Sequence, residues 1–452
     1  MVLILVDGQM LLGWRWGGVL ATPFLAIYFA ACWHRIMFTA KLLLVACLAL
    51  GSAVLLKPHG LDTLVVALGR MTFFPAFVAA LALLRAAADA SHTVDAAGRV
   101  LVSQTPSRRY AALTVGGHIF GILLNIGGLA LLLDMTRRAN TLEAGFGDPH
   151  VVAVRERRMT LAVMRGFAAI ALWSPLGLAL NLILASMPDV SWAEVAPYGF
   201  AGACAFMGLG FVFDRLENPP QRRRLASVPA PVNNGIGAVV ALAGHIAALS
   251  ALALAAEELT HWTFQAILIN LVPLYALAWL LAGAVRRGDP PIRFALTALR
   301  DKGIARWPNF ANEITIFAAS GLLGVVIADL VPRATLQAMV AAAALPPGGF
   351  AALLALAVFI LGFIGLNPMI SASILAGTFS TLTVPGLSHA TIVLALAGGW
   401  ACVIGVAPLM STLVMAAGAI GRRAGEVGLR WNGRFCCAAI VLWALGLLVI
   451  RI

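Results

Sequence analysis

AALLALAVFILGFIGLNPMISASILAGTFSTL, residues 351–382, decides how the rest of the chain is read. An unbroken apolar approach runs into Gly365-Leu366-Asn367-Pro368, and a small-residue segment carrying Ser371, Ser373 and Thr378 follows. Proline has no N–H to donate and crowds the preceding turn, while glycine loosens the backbone beside it. The helix is therefore expected to fail at this point. Within hydrocarbon such a stop is tolerated only where backbone is buried in protein or lines a cavity. A half-helix N-terminus aimed inward at that depth is a device for holding substrates or ions.

The whole chain has the composition of a polytopic membrane protein. Apolar residues make up 61% and charged residues 11%, with a mean hydropathy of +0.95. A soluble globule runs at about half and about a quarter. Apolar segments lie near 17–33, 40–56, 61–86, 111–135, 159–187, 193–214, 234–256, 262–285, 310–331, 349–380, 390–420 and 436–450. The expected fold is all-α, a transmembrane bundle of about 10–12 spans. Segments 159–187, 349–380 and 390–420 are too long for one straight crossing and too short for two. Each carries a proline near its middle, Pro175, Pro368 and Pro408, so broken or re-entrant helices fit.

A formal charge of +12 would point a soluble protein towards nucleic acid. Here the 31 Lys and Arg residues sit mostly in short loops, which retention on the cytoplasmic side explains, and no nucleic-acid partner is expected. Loops 215–233 and 286–309 read as cytoplasmic. Loops 87–110 and 136–158 are both Arg-rich although one apparent crossing separates them, so the charges leave the topology of the first half open. The six cysteines are scattered through apolar runs and indicate neither a metal site nor a disulfide framework. No basic leader with a small-residue cleavage site opens the chain, so no cleaved signal peptide is expected. GxxxxGK[ST], HExxH and TVGYG motifs are absent, and no cofactor is expected.

Placing Asp134 over Asp329 aligns LLLDMTRRAN with VIADLVPRAT, sets His118 over Glu313 and Asn125 over Ser320, and brings Ser174-Pro175 close to Asn367-Pro368. This register predicts two homologous, inverted repeats. Residues 1–57 would form N-terminal spans, 58–216 the first repeat, 217–233 a basic linker, 234–421 the second repeat and 422–452 a final helix. Repeats of this kind place a transport site at their interface, near the bilayer midplane.

The substrate-binding candidates are Ser174, Pro175 and Asn181 in the first repeat, and Asn367, Pro368, Ser371, Ser373 and Ser411 in the second. Serine and threonine on such helices also satisfy backbone carbonyls, which is the structural alternative for the hydroxyls. Glu313, His118 and Asn125 are the ion-coupling candidates, because an ionisable group within a span is costly and marks an ion pathway. Arg70 and Arg165 are expected to snorkel to the interface. His245 reads as a packing residue, and Asp134 and Asp329 as local partners of Arg138 and Arg333.

The pattern of Pro-broken segments bearing Ser or Asn (Ser174-Pro175, Asn367-Pro368, and Val406-Ala407-Pro408 with Ser411 and Thr412) resembles the ion transporter superfamily over roughly residues 60–420. That superfamily includes dicarboxylate/citrate carriers, arsenite and sodium/proton permeases and the large subunits of tripartite transporters. The Ser-Asn-Thr hairpin triplet of its sodium-coupled dicarboxylate carriers is missing here. The resemblance implies alternating access driven by an ion gradient.

The expected function is secondary active transport of a small organic anion, coupled to H⁺ or Na⁺, by an integral protein of a bacterial inner membrane, surrounded by lipid and capable of forming a homodimer. The alternatives are a membrane enzyme using the Arg-rich loops 136–158 or 286–309 on a lipid-linked phosphate, and a non-catalytic assembly subunit.

Overall fold

Among the described residues, which are 1–218, 236–382 and 384–450 of a computed structural model, every regular element is helical. Most of the predicted linker 217–233 and the last two residues of the predicted final segment lie outside them.

Helices α1 (Val2–Leu12), α2 (Gly17–Ala31) and α3 (Phe38–Val54) lead into α4 (Gly60–Asp89). Then follow α5 (His92–Val102), α6 (Pro106–Leu124), α7 (Ile126–Arg138), α8 (Pro149–Ala168), α9 (Leu178–Ser186) and α10 (Trp192–Glu217). Helices α11 (Ile236–Thr260), α12 (Phe264–Arg287) and α13 (Pro291–Ala298) precede α14 (Ala311–Leu330). The chain ends with α15 (Arg333–Ala343), α16 (Pro347–Phe363), α17 (Pro368–Phe379), α18 (His389–Ile404), α19 (Ser411–Ala419) and α20 (Gly433–Val449). Six helical stretches are long and apolar enough to cross a membrane, namely α4, α10, α11, α12, the run 291–330 ending in α14, and the run 426–449 ending in α20. Shorter apolar pieces supply the remainder. The protein is an integral membrane protein.

The segment 111–135 does not cross. Its helix stops at Asn125 and α7 turns back along α6, so that Gly116 faces Leu132 while Gly128 faces the Phe120 carbonyl. Position rises on one helix as it falls on the other, which is an antiparallel hairpin. A second hairpin forms from α16 and α17, where Gly362 lies by Pro368 at the tip and the Phe350 and Phe379 rings meet at 5.3 Å near the base. Segment 349–380 is thus re-entrant.

After each hairpin comes a helix interrupted at a proline. The first, α8, tightens into a 3₁₀ turn at Ala169–Leu172, opens around Ser174-Pro175 and resumes as α9. The second, α18, stops at Ile404, opens around Pro408 and resumes as α19. A long helix closes each unit, α10 in the first and α20, entered through a π-helical stretch Glu426–Asn432, in the second.

Matching contacts tie the two units together position by position. Gly166 of α8 presses on the Thr114 carbonyl of α6, and Gly399 of α18 presses on the Ala355 carbonyl of α16. Gly121 faces Ile170, and Gly362 faces Val403. The same 233 residues separate Gly166 from Gly399, Ile170 from Val403 and Pro175 from Pro408.

This recurrence corrects the register read from the sequence. The counterpart of Pro175 is Pro408, and the counterpart of Asn125 is Asn367, each preceded by Leu at a hairpin tip. His118 lies within α6 whereas Glu313 is in the first turn of α14, so the two are not equivalent. The second unit also runs past residue 421, because α20 belongs to it. The misreading has a physical cause. Pro175 and Pro408 interrupt a helix, but Pro368 occupies the first turn of α17, where its missing N–H costs nothing and its fixed φ favours helix.

The ion pairs show which loops share a face. Asp89 binds Arg306 at 2.7 Å, Asp214 binds Arg158 at 2.7 Å, and Glu156 binds Arg422 at 2.8 Å. The first hairpin brings both its ends to that same side. The Arg-rich stretches 87–110, 136–158, 286–309 and 421–435 therefore lie together on one face, as the positive-inside rule expects of cytoplasmic loops. The conflict over the first half arose from counting a hairpin as a crossing. Three spans, α11, α12 and the one ending in α14, separate the two units, and an odd number inverts the second relative to the first.

Candidate functional site

The hairpin tips start new helices, and each tip asparagine caps the helix it starts. The Asn367 side chain accepts from the Met369 N–H at 3.0 Å, and the Asn125 side chain from the Ile126 N–H at 2.8 Å. A cap of this kind satisfies one of the four N–H groups that a helix start leaves free. Asn367 has an ordinary φ of −58°, but Asn125 is held at φ 52° and ψ −139°, backbone normally left to glycine. Strain of this sort persists only where surrounding structure imposes it.

At the first break, Ser174 and Asn181 are completely buried. The Asn181 amide donates to the carbonyls of Pro175 at 2.8 Å and Gly177 at 2.9 Å, and the Gly177 carbonyl also accepts the Asn181 N–H at the start of α9. Among the described residues neither Ser174 Oγ nor Asn181 Oδ1 has a partner. Two unpaired buried polar atoms beside an open helix are uncommon and mark a place where a further group can bind.

His118 belongs to this break. Its Nδ1 lies 3.0 Å from the Gly166 carbonyl, and Trp173 Nε1 donates to its Nε2 at 3.0 Å. A carbonyl can only accept, so the imidazole carries its proton on Nδ1 and both nitrogens are satisfied in the neutral form. Trp192 in turn donates to the Trp173 carbonyl at 2.8 Å. His118 thus props the break through Trp173.

The second break is closed differently. Asn432 donates to the Gly405 carbonyl at 3.0 Å and accepts from Arg165 Nε at 2.9 Å. Arg165 does not snorkel. It is 1% exposed, donates to Tyr110 Oη at 2.9 Å and the Gly210 carbonyl at 3.1 Å, and lies 4.2 Å from the Phe435 ring centre. The pattern reading missed this arginine because its partners come from α6, α10 and the distant stretch 426–432. Arg70 is half-buried on α4.

The other candidates separate. Ser373 spends its hydroxyl on the Ser320 carbonyl of α14 at 2.8 Å, and Ser371 on the Pro368 carbonyl at 3.3 Å. Ser411 is exposed at the start of α19. Glu313 stands apart from the first break, near Tyr28, and among the described residues its buried Oε2 has no partner. His245 packs on Trp279 with ring centres 3.8 Å apart and meets Tyr275 Oη at 2.7 Å. Asp134 pairs with Arg138 at 2.7 Å, whereas Asp329 pairs with Lys57 at 2.9 Å rather than with Arg333.

The two units interlock around these features. Helix α9 packs on α17 and α18, and α19 packs on α7, so the half-helix of each unit meets the returning hairpin arm of the other. Gly365 at the second tip also touches Leu409 at the second break.

No family model matches the chain, and no curated protein matches its sequence. Among solved structures, the chain is similar to the YdaH transporter of Alcanivorax borkumensis, with a TM-score of 0.62 at 16% identity over 91% of this chain and 97% of that one. The fold described above is therefore shared along nearly the full length of a transporter.

Proposed function

We propose that the protein is a secondary active transporter which moves a small organic anion across a bacterial inner membrane by alternating access. The observation that carries this reading is the inverted recurrence of a hairpin and a broken helix, with the pieces of one unit packed on those of the other. Four helices, α7, α9, α17 and α19, begin at the tips or breaks. Helix N-termini present free N–H groups and a positive dipole end, which favours an anionic solute. Asn125, Asn367, Ser174 and Asn181 supply the polar contacts, with Pro175 and Pro368 setting the backbone. Glu313 is the coupling group for H⁺ or Na⁺, on the strength of its unpaired buried oxygen. His118 acts as a prop. The wider reading is an ion-gradient-driven permease related to the ion transporter superfamily; a homodimer remains a proposal drawn from the sequence.

The enzyme alternative is less favoured because several of the cations it would use are already paired. Arg157 pairs with Glu217 at 2.5 Å, Arg158 with Asp214, Arg287 with Asp289 and Arg306 with Asp89.

The test is thermal stability of the purified protein across a panel of small anions, each with Na⁺, with K⁺ and at two pH values. A ligand that binds only the folded state raises the melting temperature. A carboxylate-specific rise that disappears in Asn125→Ala and Asn367→Ala supports the reading. A rise produced only by lipid-linked phosphates would overturn it.

A further inference from the structure

Away from the hairpins, a crevice of about 730 Å³ opens between α2, α3 and α4, with Leu322 of α14 behind it. Its walls are apolar even where the residues are not. Thr22 and Ser52 turn their hydroxyls onto the Gly18 and Leu48 carbonyls of their own helices, and the Cys47 thiol points at the Ala319 carbonyl. Along α3 the lining runs from Leu44 to Leu55. That stretch is roughly 16 Å long, close to the ~15 Å that one leaflet contributes to the hydrocarbon.

The two ends of the crevice differ in charge. At the far end, Lys57 is neutralised by Asp329. At the near end, Trp33 closes the crevice in the elbow joining α2 to α3, and His34, Arg35 and Lys41 gather around it. Lys41 Nζ sits 4.8 Å from the Trp33 ring centre, and Arg35 is steadied by Asn309 at 2.8 Å. Among the described residues no carboxylate lies within ion-pair distance of His34, Arg35 or Lys41. Glu313, next to Asn312 whose side chain accepts from the Met37 N–H at 3.2 Å, is the acid behind this elbow and lies near Tyr28. The contact between Arg35 and Asn309 puts the elbow on the Arg-rich face.

We propose that this crevice is a binding site for an anionic glycerophospholipid of the cytoplasmic leaflet. One acyl chain lies along α3 and the headgroup phosphate is held by Arg35 and Lys41, with Trp33 at the level of the glycerol. An apolar slot alone accepts any chain. The uncompensated cations at one end and the neutralised cation at the other select an anionic headgroup and fix its direction, as basic pockets between membrane helices do. The site is independent of the transport reading, because it lies outside both hairpin units.

The test is native mass spectrometry of the full-length protein released from a mild detergent after addition of phosphatidylglycerol, phosphatidylcholine or inorganic phosphate. The wild type is expected to retain phosphatidylglycerol in preference to phosphatidylcholine and to ignore free phosphate. Lys41→Ala and Arg35→Ala should each weaken retention about fivefold. Gly51→Leu narrows the slot where an added Cβ meets only Leu64 at 3.6 Å, and should abolish retention without touching the cations. Equal retention of both lipids, or retention unchanged in all three variants, would overturn the proposal. So would a change from dimer to monomer in Gly51→Leu with the bound lipid unaltered, since a second copy of the chain would then be the occupant.

Discussion

Arg422 pairs with Glu156 at the position in the fold where, in the inverted unit, Asp189 pairs with His389. The 233 residues from Glu156 to His389 are also the 233 from Asp189 to Arg422. Each pair joins the loop after a half-helix in one unit to the start of the broken helix in the other, and inversion puts the two pairs on opposite faces of the membrane. The acid and the base exchange places between the two pairs. Glu156 raises the affinity of the Arg422 guanidinium for its proton, chiefly through the hydrogen bond, so that pair stays charged.

The Asp189–His389 contact lies beside Glu194 in a cavity of about 280 Å³. The partners of both pairs are partly exposed, so His389→Gln and Arg422→Gln should each cost no more than about 1 kcal/mol. Melting temperatures of the two variants in one detergent check this, and a much larger loss in either would show that the contact locks the two units together rather than decorating their edge.

The two tip asparagines should respond differently to substitution. Removing the cap costs about 1 kcal/mol at either tip. At Asn125 alanine adds the strain of a positive φ, so Asn125→Ala should be the more damaging of the two. Asn125→Gly relieves that strain, and its denaturation midpoint should equal or exceed that of the wild type. Chemical denaturation of the three variants in one detergent gives the order directly.

The packing of each hairpin on its broken helix depends on a glycine. A Cβ at Gly166 would stand 1.9 Å from the Thr114 carbonyl, and one at Gly399 would stand 2.3 Å from the Ala355 carbonyl. Alanine at either site should cost about 2 kcal/mol or more, because backbone must move. Gly244→Ala is the control. Nothing lies within 4 Å of its added Cβ, and on helix α11 the change should be neutral or gain up to about 1 kcal/mol. Monodispersity and melting temperature of the three proteins check this.

Arg165 is a buried cation held by oxygen acceptors from two helices, α6 and α10, and the stretch 426–432. Arg165→Ala leaves Asn432 Oδ1 and Tyr110 Oη without a donor and should cost about 3 kcal/mol. A double-mutant cycle with Asn432→Ala should return a coupling above about 0.5 kcal/mol. Additive effects would mean that the link from Arg165 through Asn432 to the Gly405 carbonyl carries no energy.

By itself, the sequence determined the class and the interruptions, and it offered re-entry as one of two ways to place a segment too long for one crossing. Composition alone requires a bilayer. Prolines 175 and 408 prescribe breaks wherever the helix goes, because a missing N–H is a local property, and the run 349–380 has too many residues to cross once. What the tertiary structure decided is partnership. Leu, Ala and Gly recur in every apolar helix, so a register 195 residues apart matched about as readily as the true correspondence, and only contacts such as Gly166 with Thr114 and Gly399 with Ala355 separated them. The second hairpin was legible because its length was anomalous. The first was not, since Asn125 stands in the apolar run 111–135, which has the length of an ordinary span, and no proline or glycine directly beside it announces the positive φ at which the chain turns. Arg165 shows the same limit in one side chain. Its position on α8 is written in the chain, but its burial depends on Tyr110, Gly210 and Asn432 arriving from three other places, and no local pattern records that.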